Sequence, residues 1–80
     1  MKLLYSFATR VGTFYIGQSP DGRFHPIYDD ESLGSYAHDW QASEDLVGGH
    51  TFTPSQLSDT SQLGIPEDIG EWERLPIPMR

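Results

Sequence analysis

Alternating apolar and polar positions mark the first part of the chain and predict antiparallel β-strands. Residues 3–9 alternate, with Leu3, Tyr5 and Phe7 on one side of the expected strand. The stretch Arg10-Val11-Gly12 interrupts this pattern as a turn or bulge, since glycine tolerates the backbone angles that a kink needs. The alternation then resumes over residues 13–18 as a second strand.

The clearest local signal is the tetrapeptide Ser19-Pro20-Asp21-Gly22. Proline presets the first central position of a turn, aspartate suits the second, and glycine supplies the positive φ at the exit. The tetrapeptide predicts an antiparallel hairpin between residues 13–18 and 23–28, in which Ile16 opposes Pro26. Proline has no N–H, so Pro26 is expected on an unpaired side of its strand or at a bulge. One face would carry Phe14, Ile16, Phe24 and Tyr28, and the other would carry Tyr15, Arg23, His25 and Ile27.

The middle of the chain predicts a turn at residues 29–31, a short strand at 32–36 and a helix at about 39–47. Within the helix, Ala42 and Leu46 are one turn apart and would face the sheet, with Glu44 and Asp45 facing outward. His38 or Asp39 is expected as the N-cap, and Asp39 is the better one by its chemistry. Gly48-Gly49 is a typical helix end.

The last third of the chain is dominated by loop and turn signals. Residues 64–70 predict one helical turn that starts at Pro66, and residues 71–75 predict a last strand. Residues 76–80 are expected to form a disordered tail. The fold class is therefore α+β: a small antiparallel β-meander of three to four strands, one short α-helix packed on it, and an irregular C-terminal segment, in a single domain over residues 1–75.

Composition restricts the cellular setting and the kinds of site. The chain has 80 residues and no cysteine, which excludes disulfides, cysteine–zinc sites and a cysteine nucleophile. No apolar run approaches the roughly 20 residues that span a bilayer, and the start is too quickly polar for a signal peptide. A cytoplasmic protein without membrane contact is expected.

Charge is distributed unevenly along the chain. Residues 1–28 carry three basic residues and one acid, whereas residues 29–80 carry eleven acids and two arginines, for a net charge of −7 overall. Such a surface repels phosphate, so direct nucleic-acid binding is not expected. The sequence favours a non-catalytic protein-binding or interaction module with a basic protein surface as its partner. The alternative is an acidic inhibitor that mimics the charge of nucleic acid.

Trp40 is the first candidate for an aromatic anchor, because it lies in the first turn of the predicted helix beside charged neighbours. The other candidate residues for partner binding are the carboxylates Glu44, Asp45, Glu67 and Asp68. A second candidate surface is the sheet face with Tyr15, Arg23 and His25. No catalytic residue and no cofactor is predicted.

The three histidines, His25, His38 and His50, lack the short spacing of most metal sites, so no metal is predicted. A third possibility is a small enzyme or ligand-binding protein with a cleft between sheet and helix. A deep pocket that holds His25 or His50 beside an acid would favour it.

Several strings resemble a family of short, uncharacterised bacterial proteins. They are Gly34-Ser35-Tyr36, residues 42–46, Gly48-Gly49-His50-Thr51-Phe52 and the run LGIPEDIGEWE at residues 63–73. The resemblance covers roughly residues 11–75 and implies a bacterial origin, a cytoplasmic location and a compact meander-plus-helix fold. It implies no activity, ligand or partner, and His38-Asp39-Trp40 departs from the helix entry usual in that family.

Overall fold

A computed structural model describes residues 1–49 and 63–75, and within them the fold is a five-stranded antiparallel sheet with one α-helix and one 3-10 turn. The α+β class predicted from the sequence is confirmed. The elements are β1 (Lys2–Thr9), β2 (Gly12–Gln18), β3 (Phe24–Tyr28), β4 (Glu31–Ser32), α1 (Asp39–Gly48), the 3-10 turn Ile69–Glu71 and β5 (Glu73–Arg74). The strand order is β4-β3-β2-β1-β5. No helix in the described part of the chain is long and apolar enough to cross a bilayer.

The β2–β3 hairpin has the register that its turn sequence predicts. Ile16 pairs with Pro26, and the pairs on either side are Gln18 with Phe24 and Phe14 with Tyr28. The Gly22 N–H donates to the Ser19 carbonyl at 2.9 Å, and Gly22 has a φ of 87°. Turn chemistry therefore sets the register of this pair of strands.

The nitrogen of Pro26 faces away from the β2–β3 hydrogen bonds, as the sequence predicts. The backbone of Phe24 exchanges both its hydrogen bonds with Tyr36, on the side of β3 away from β2. Alternate residues of a strand point their N–H and C=O groups to the same side, so the nitrogen of Pro26 also points away from β2. On that side the Pro26 carbonyl still accepts from the Leu33 N–H at 2.7 Å, so the missing proline N–H affects only the outer edge of β3 and not its pairing with β2.

β1 does not keep the simple alternation that its sequence predicts. Leu3 pairs with Gly17 but Tyr5 pairs with Ile16, because Leu4 is an extra residue in a β-bulge. Tyr5 therefore lies on the face that carries Ile16 and the helix, and Leu3 lies on the opposite face. The prediction that Leu3 shares a face with Tyr5 was wrong for this reason.

The predicted turn at residues 29–31 is a two-residue hairpin loop, Asp29–Asp30, with φ values of 53° and 63°. Positive φ at both central residues is the requirement of the type I′ turn, and aspartate tolerates it better than most residues. The strand that follows is shorter than predicted: β4 covers Glu31–Ser32, and Tyr36 makes an isolated bridge to Phe24.

The helix α1 agrees with the prediction in extent, but its N-cap is the less favoured of the two residues that the sequence offered. The N-cap is His38, whose side chain makes no capping hydrogen bond, while its carbonyl accepts from Ala42. Asp39 is instead the first helical residue, and its carboxylate accepts a hydrogen bond from the Tyr5 hydroxyl at 3.1 Å. Asp39 thus joins the helix to the sheet. At the other end Gly49 is left-handed, with a φ of 76°.

The helical turn after Gly64 lies later in the sequence than predicted. It spans Ile69–Glu71 and is capped by Asp68, so Pro66 precedes it. The last strand is confirmed but reduced to Glu73–Arg74, and it pairs with β1 at the far edge of the sheet. The predicted disordered tail, residues 76–80, lies outside the described residues.

The core lies between the sheet and the segments that cover one of its faces. Ala42 and Leu46 are fully buried, which confirms the predicted inner side of the helix. Trp72 is also buried and packs its ring against Phe7 at a centroid distance of 6.0 Å. The remaining core residues are Phe14, Ile16, Tyr28, Leu33 and Ile65.

Candidate functional site

Four of the predicted partner-binding residues line one cleft, beside the N-terminal half of α1. Trp40 and Glu44 come from the helix, four residues apart, and Glu67 and Asp68 come from the segment before the 3-10 turn. Ile69 completes the described lining, and the cleft has a volume of about 290 Å³. The cleft thus combines an aromatic ring, an aliphatic side chain and three carboxylates.

Hydrogen bonds from two buried side chains fix the walls of this cleft. The fully buried Ser43 hydroxyl lies 3.0 Å from the Trp40 carbonyl and 2.8 Å from the Glu67 carbonyl. The indole N–H of Trp72 donates to the Pro66 carbonyl at 3.0 Å. The Ser43–Glu67 contact joins the helix to the segment before the 3-10 turn, whereas the Trp72–Pro66 bond holds that segment in its own fold. Both bonds are part-buried, so the cleft exists before any partner binds.

Trp40 is the exposed aromatic side chain among the large apolar residues of the described chain, with 47% of its surface accessible. Its indole stacks on the His38 imidazole, with centroids 5.4 Å apart and planes inclined by 10°. The stacking limits the rotamers of the indole, so an exposed aromatic side chain is presented in a restricted orientation. Restricted, exposed aromatic rings are the common anchors of protein interfaces.

The carboxylates of the cleft differ in how they are held. Asp68 caps the 3-10 turn, since its Oδ1 accepts from the Gly70 N–H at 2.9 Å. Glu44 and Glu67 are exposed. Within the described lining there is no cationic side chain, so the cleft has a local negative charge that a basic group would complement.

Asp45 does not belong to this cleft. It is half-buried and hydrogen-bonded to the Tyr36 hydroxyl. Burial of the phenol, together with the Asp45 hydrogen bond and negative charge, raises the pKa of Tyr36 to about 12. The sequence placed Asp45 on the outer side of the helix, and that expectation was wrong because Tyr36 packs along this side.

The residues of the second candidate surface, Tyr15, Arg23 and His25, lie in three different surroundings. Tyr15 lines a cavity of about 370 Å³ with apolar neighbours that include Leu3 and Ile27. The Arg23 guanidinium is exposed and donates to the side chain and the carbonyl of Ser35. His25 has hydrogen-bond partners at both ring nitrogens. The three residues do not line a common cavity in the described part of the chain.

Ser19 was not singled out from the sequence, although its position beside His25 is a distinctive feature of the structure. Its hydroxyl oxygen lies 2.9 Å from His25 Nε2 and also contacts the Asp21 carboxylate. The signal was present in the predicted register: Gly17 opposes His25, which makes Ser19 a diagonal neighbour of His25 on the same face.

Residues 1–49 and 63–75 contain no group of three or more histidine or acidic side chains arranged to hold a metal ion. His50, one of the three histidines considered from the sequence, lies outside these ranges.

Comparison with protein-family models, with curated proteins and with solved structures gives no match to this chain. The resemblance to a family of short bacterial proteins therefore stays a prediction.

Proposed function

We propose that this chain is a protein-interaction module that binds a basic protein surface through the cleft of Trp40, Glu44, Glu67 and Asp68. The observation that carries the proposal is the convergence of an exposed indole with three carboxylates from two segments of the chain. As part of the same proposal, the module acts in a bacterial cytoplasm. The absence of cysteine from the sequence supports that location.

The carboxylates and the indole of the cleft have different roles in binding: the first act on the association rate, and the second on the affinity. Carboxylates near the rim attract a basic partner and raise its rate of association, and salt screens this attraction over about 8–10 Å. The indole supplies affinity, because an aromatic side chain that becomes buried in an interface contributes more than most contacts. A lysine or arginine side chain fits both, since its aliphatic part can lie on Trp40 and Ile69 while its charged end meets a carboxylate.

The test starts from proteins captured from bacterial lysate by the immobilised chain at low salt. Each captured protein is purified, and its binding kinetics to the chain are measured at about 50 and 300 mM salt, where screening differs strongly. We expect association to slow by at least about tenfold at the higher salt. Trp40→Ala should raise the dissociation rate by about tenfold or more, as expected for an anchor residue.

A matched pair of triple variants isolates the cleft from the general acidity of the chain. Glu44→Gln, Glu67→Gln and Asp68→Asn remove three charges from the cleft. Asp30→Asn, Glu71→Gln and Glu73→Gln remove three charges from exposed positions outside its described lining. We expect only the first triple variant to slow association strongly. Equal slowing by both, with no effect of Trp40→Ala, would contradict the cleft proposal and favour the nucleic-acid mimic.

A further inference from the structure

Ser19 and His25 have the geometry of a serine nucleophile and its general base. His25 Nδ1 lies 2.8 Å from the Gly34 carbonyl oxygen, and this oxygen can only accept a hydrogen bond. This carbonyl favours the tautomer with the proton on Nδ1, in which Nε2 presents its lone pair. Nε2 is the nitrogen that lies 2.9 Å from Ser19 Oγ. The arrangement by which a serine nucleophile is recognised has three parts: the hydroxyl, a base within hydrogen-bond reach of it, and a third group that orients the base.

Asp21 complements this pair without replacing the imidazole as the base. The Ser19 hydroxyl donates its single proton to the Asp21 carboxylate, and that hydrogen bond is the main reason why the pKa of Asp21 is lowered. Rotation about the Cβ–Oγ bond turns the same proton towards His25 Nε2, which lies 2.9 Å from Oγ. A carboxylate with a lowered pKa is a weak proton acceptor, so a proton leaving Ser19 goes to the imidazole. The negative charge of Asp21 then stabilises the imidazolium that forms beside it.

The hydroxyl of Ser19 can be reached from solvent. Ser19 is half-buried and lines a cavity of about 370 Å³ at the turn of the β2–β3 hairpin. Lys2 lines the same cavity and provides a positive charge on the side from which a reactant would enter. The other lining residues are Met1, Gln18, Pro20 and Gly22.

We propose that Ser19 is a reactive nucleophile that takes the acyl group of small carboxylic esters, with His25 as its general base. Ser19 Oγ forms a bond to the ester carbonyl carbon while its proton passes to His25 Nε2. The carbon–oxygen bond to the leaving group then breaks, and the leaving alkoxide takes the proton from Nε2. Water repeats the sequence on the acyl-serine and releases the carboxylic acid. None of these residues lines the Trp40 cleft, so this proposal and the proposed function can fail separately.

The chain contains a matched internal control for this reactivity. Ser35 is more exposed than Ser19, but its hydroxyl accepts a hydrogen bond from Arg23 and makes none with a histidine among the described residues. If access alone governed the reaction, Ser35 would react faster. If general-base activation governs it, Ser19 reacts faster in spite of its partial burial.

The experiment is competitive labelling of the unaltered chain with a fluorophosphonate probe, followed by peptide mass spectrometry. We expect Ser19 to be labelled at least about 100-fold faster than Ser35, the low end of the usual effect of a general base. His25→Gln should remove most of this difference while circular dichroism stays unchanged. With p-nitrophenyl acetate, the unaltered chain should release p-nitrophenolate and acquire an acetyl group on Ser19, and Ser19→Ala should do neither.

Labelling of Ser19 at or below the rate of Ser35 in the unaltered chain would overturn the proposal. The network of Ser19, Asp21 and His25 would then serve only to fix the hairpin turn. This comparison needs no variant, so it holds even if His25→Gln fails to fold.

Discussion

Leu3 and Tyr5 lie on opposite faces of the sheet although they are two residues apart on one strand. The cause is the bulge at Leu4, which lets Leu3 pair with Gly17 and Tyr5 pair with Ile16. Tyr5 packs against the core and reaches Asp39 of the helix, whereas 40% of Leu3 is exposed. A single extra residue thus decides which side chain contributes to the core.

Threonine substitutions at these two positions should have unequal effects. Leu3→Thr should change the free energy of unfolding by no more than about 0.5 kcal/mol, as for an ordinary surface position. Tyr5→Thr should lower it by more than about 1 kcal/mol, since it loses core contacts and the hydrogen bond to Asp39. Urea unfolding of both variants checks this, and a larger loss at Leu3 would show that the bulge is misplaced.

The hairpin turn depends on the backbone freedom of Gly22. An added Cβ would meet no atom within 4 Å, so any cost of a larger residue comes from the φ of 87°. Gly22→Val should therefore lower stability by more than about 1 kcal/mol, and Gly22→Asn should cost less because asparagine tolerates this region. Thermal unfolding that gives equal midpoints for valine and glycine would contradict the turn assignment.

Leu46 is the fully buried residue of α1 nearest to its C-terminal end. Leu46→Ala should destabilise the fold by about 2–4 kcal/mol, because it leaves an unfilled space in a close-packed core. Glu44→Ala, on the exposed side of the same helix, is the control and should change stability by less than about 0.5 kcal/mol. Amide exchange in residues 42–46 at the rate of an unfolded peptide would contradict the packing of this helix.

Ionisation of Tyr36 should destabilise the fold at high pH. Its folded pKa of about 12 lies above the ordinary tyrosine pKa of 10.0, so the folded chain holds this proton more tightly than the unfolded chain. The stabilisation is complete below about pH 10 and is lost as the pH rises from there through 12. The pKa of Tyr5 is also raised, mainly by burial, and adds a loss of the same sign.

Tyr36→Phe should therefore reduce, without abolishing, the difference in unfolding free energy between about pH 9 and pH 11. Asp45→Asn should bring the pKa of Tyr36 part of the way down, since burial remains as the largest cause. Tyrosinate absorbance during a pH titration measures the second effect. A pH dependence that is the same with phenylalanine at position 36 would contradict the assignment.

Local signals account for the parts of the fold that the sequence predicted well. The turn Ser19-Pro20-Asp21-Gly22 determines the register of the strands beside it, and the glycines at 48 and 49 end the helix. The pairing of Glu73–Arg74 with β1 and the bulge at Leu4 depend on contacts between distant parts of the chain. No pattern within a short window carries that information.

In the candidate cleft, too, local sequence patterns predict one part and contacts between distant residues determine the other. The spacing of Trp40 and Glu44 places them on one side of a helix, which sequence alone predicts. Their meeting with Glu67 and Asp68 depends on the buried Ser43 hydroxyl, which contacts the Glu67 carbonyl. A serine in the middle of a helix gives no sign of such a role.

The strand order β4-β3-β2-β1-β5 has a consequence for the kinetics of folding. The hairpins from β1 to β4 close over short turns, whereas β5 must return across nearly the whole chain to pair Arg74 with Tyr5. Closing such a long loop costs more entropy, so we expect the meander to form early and β5 to dock late. Glu67 and Asp68 belong to the late-docking part, so the cleft is completed only at the end of folding. Local opening of residues 63–75 would remove the binding site while the hairpins stay intact, and a bound partner would slow that opening.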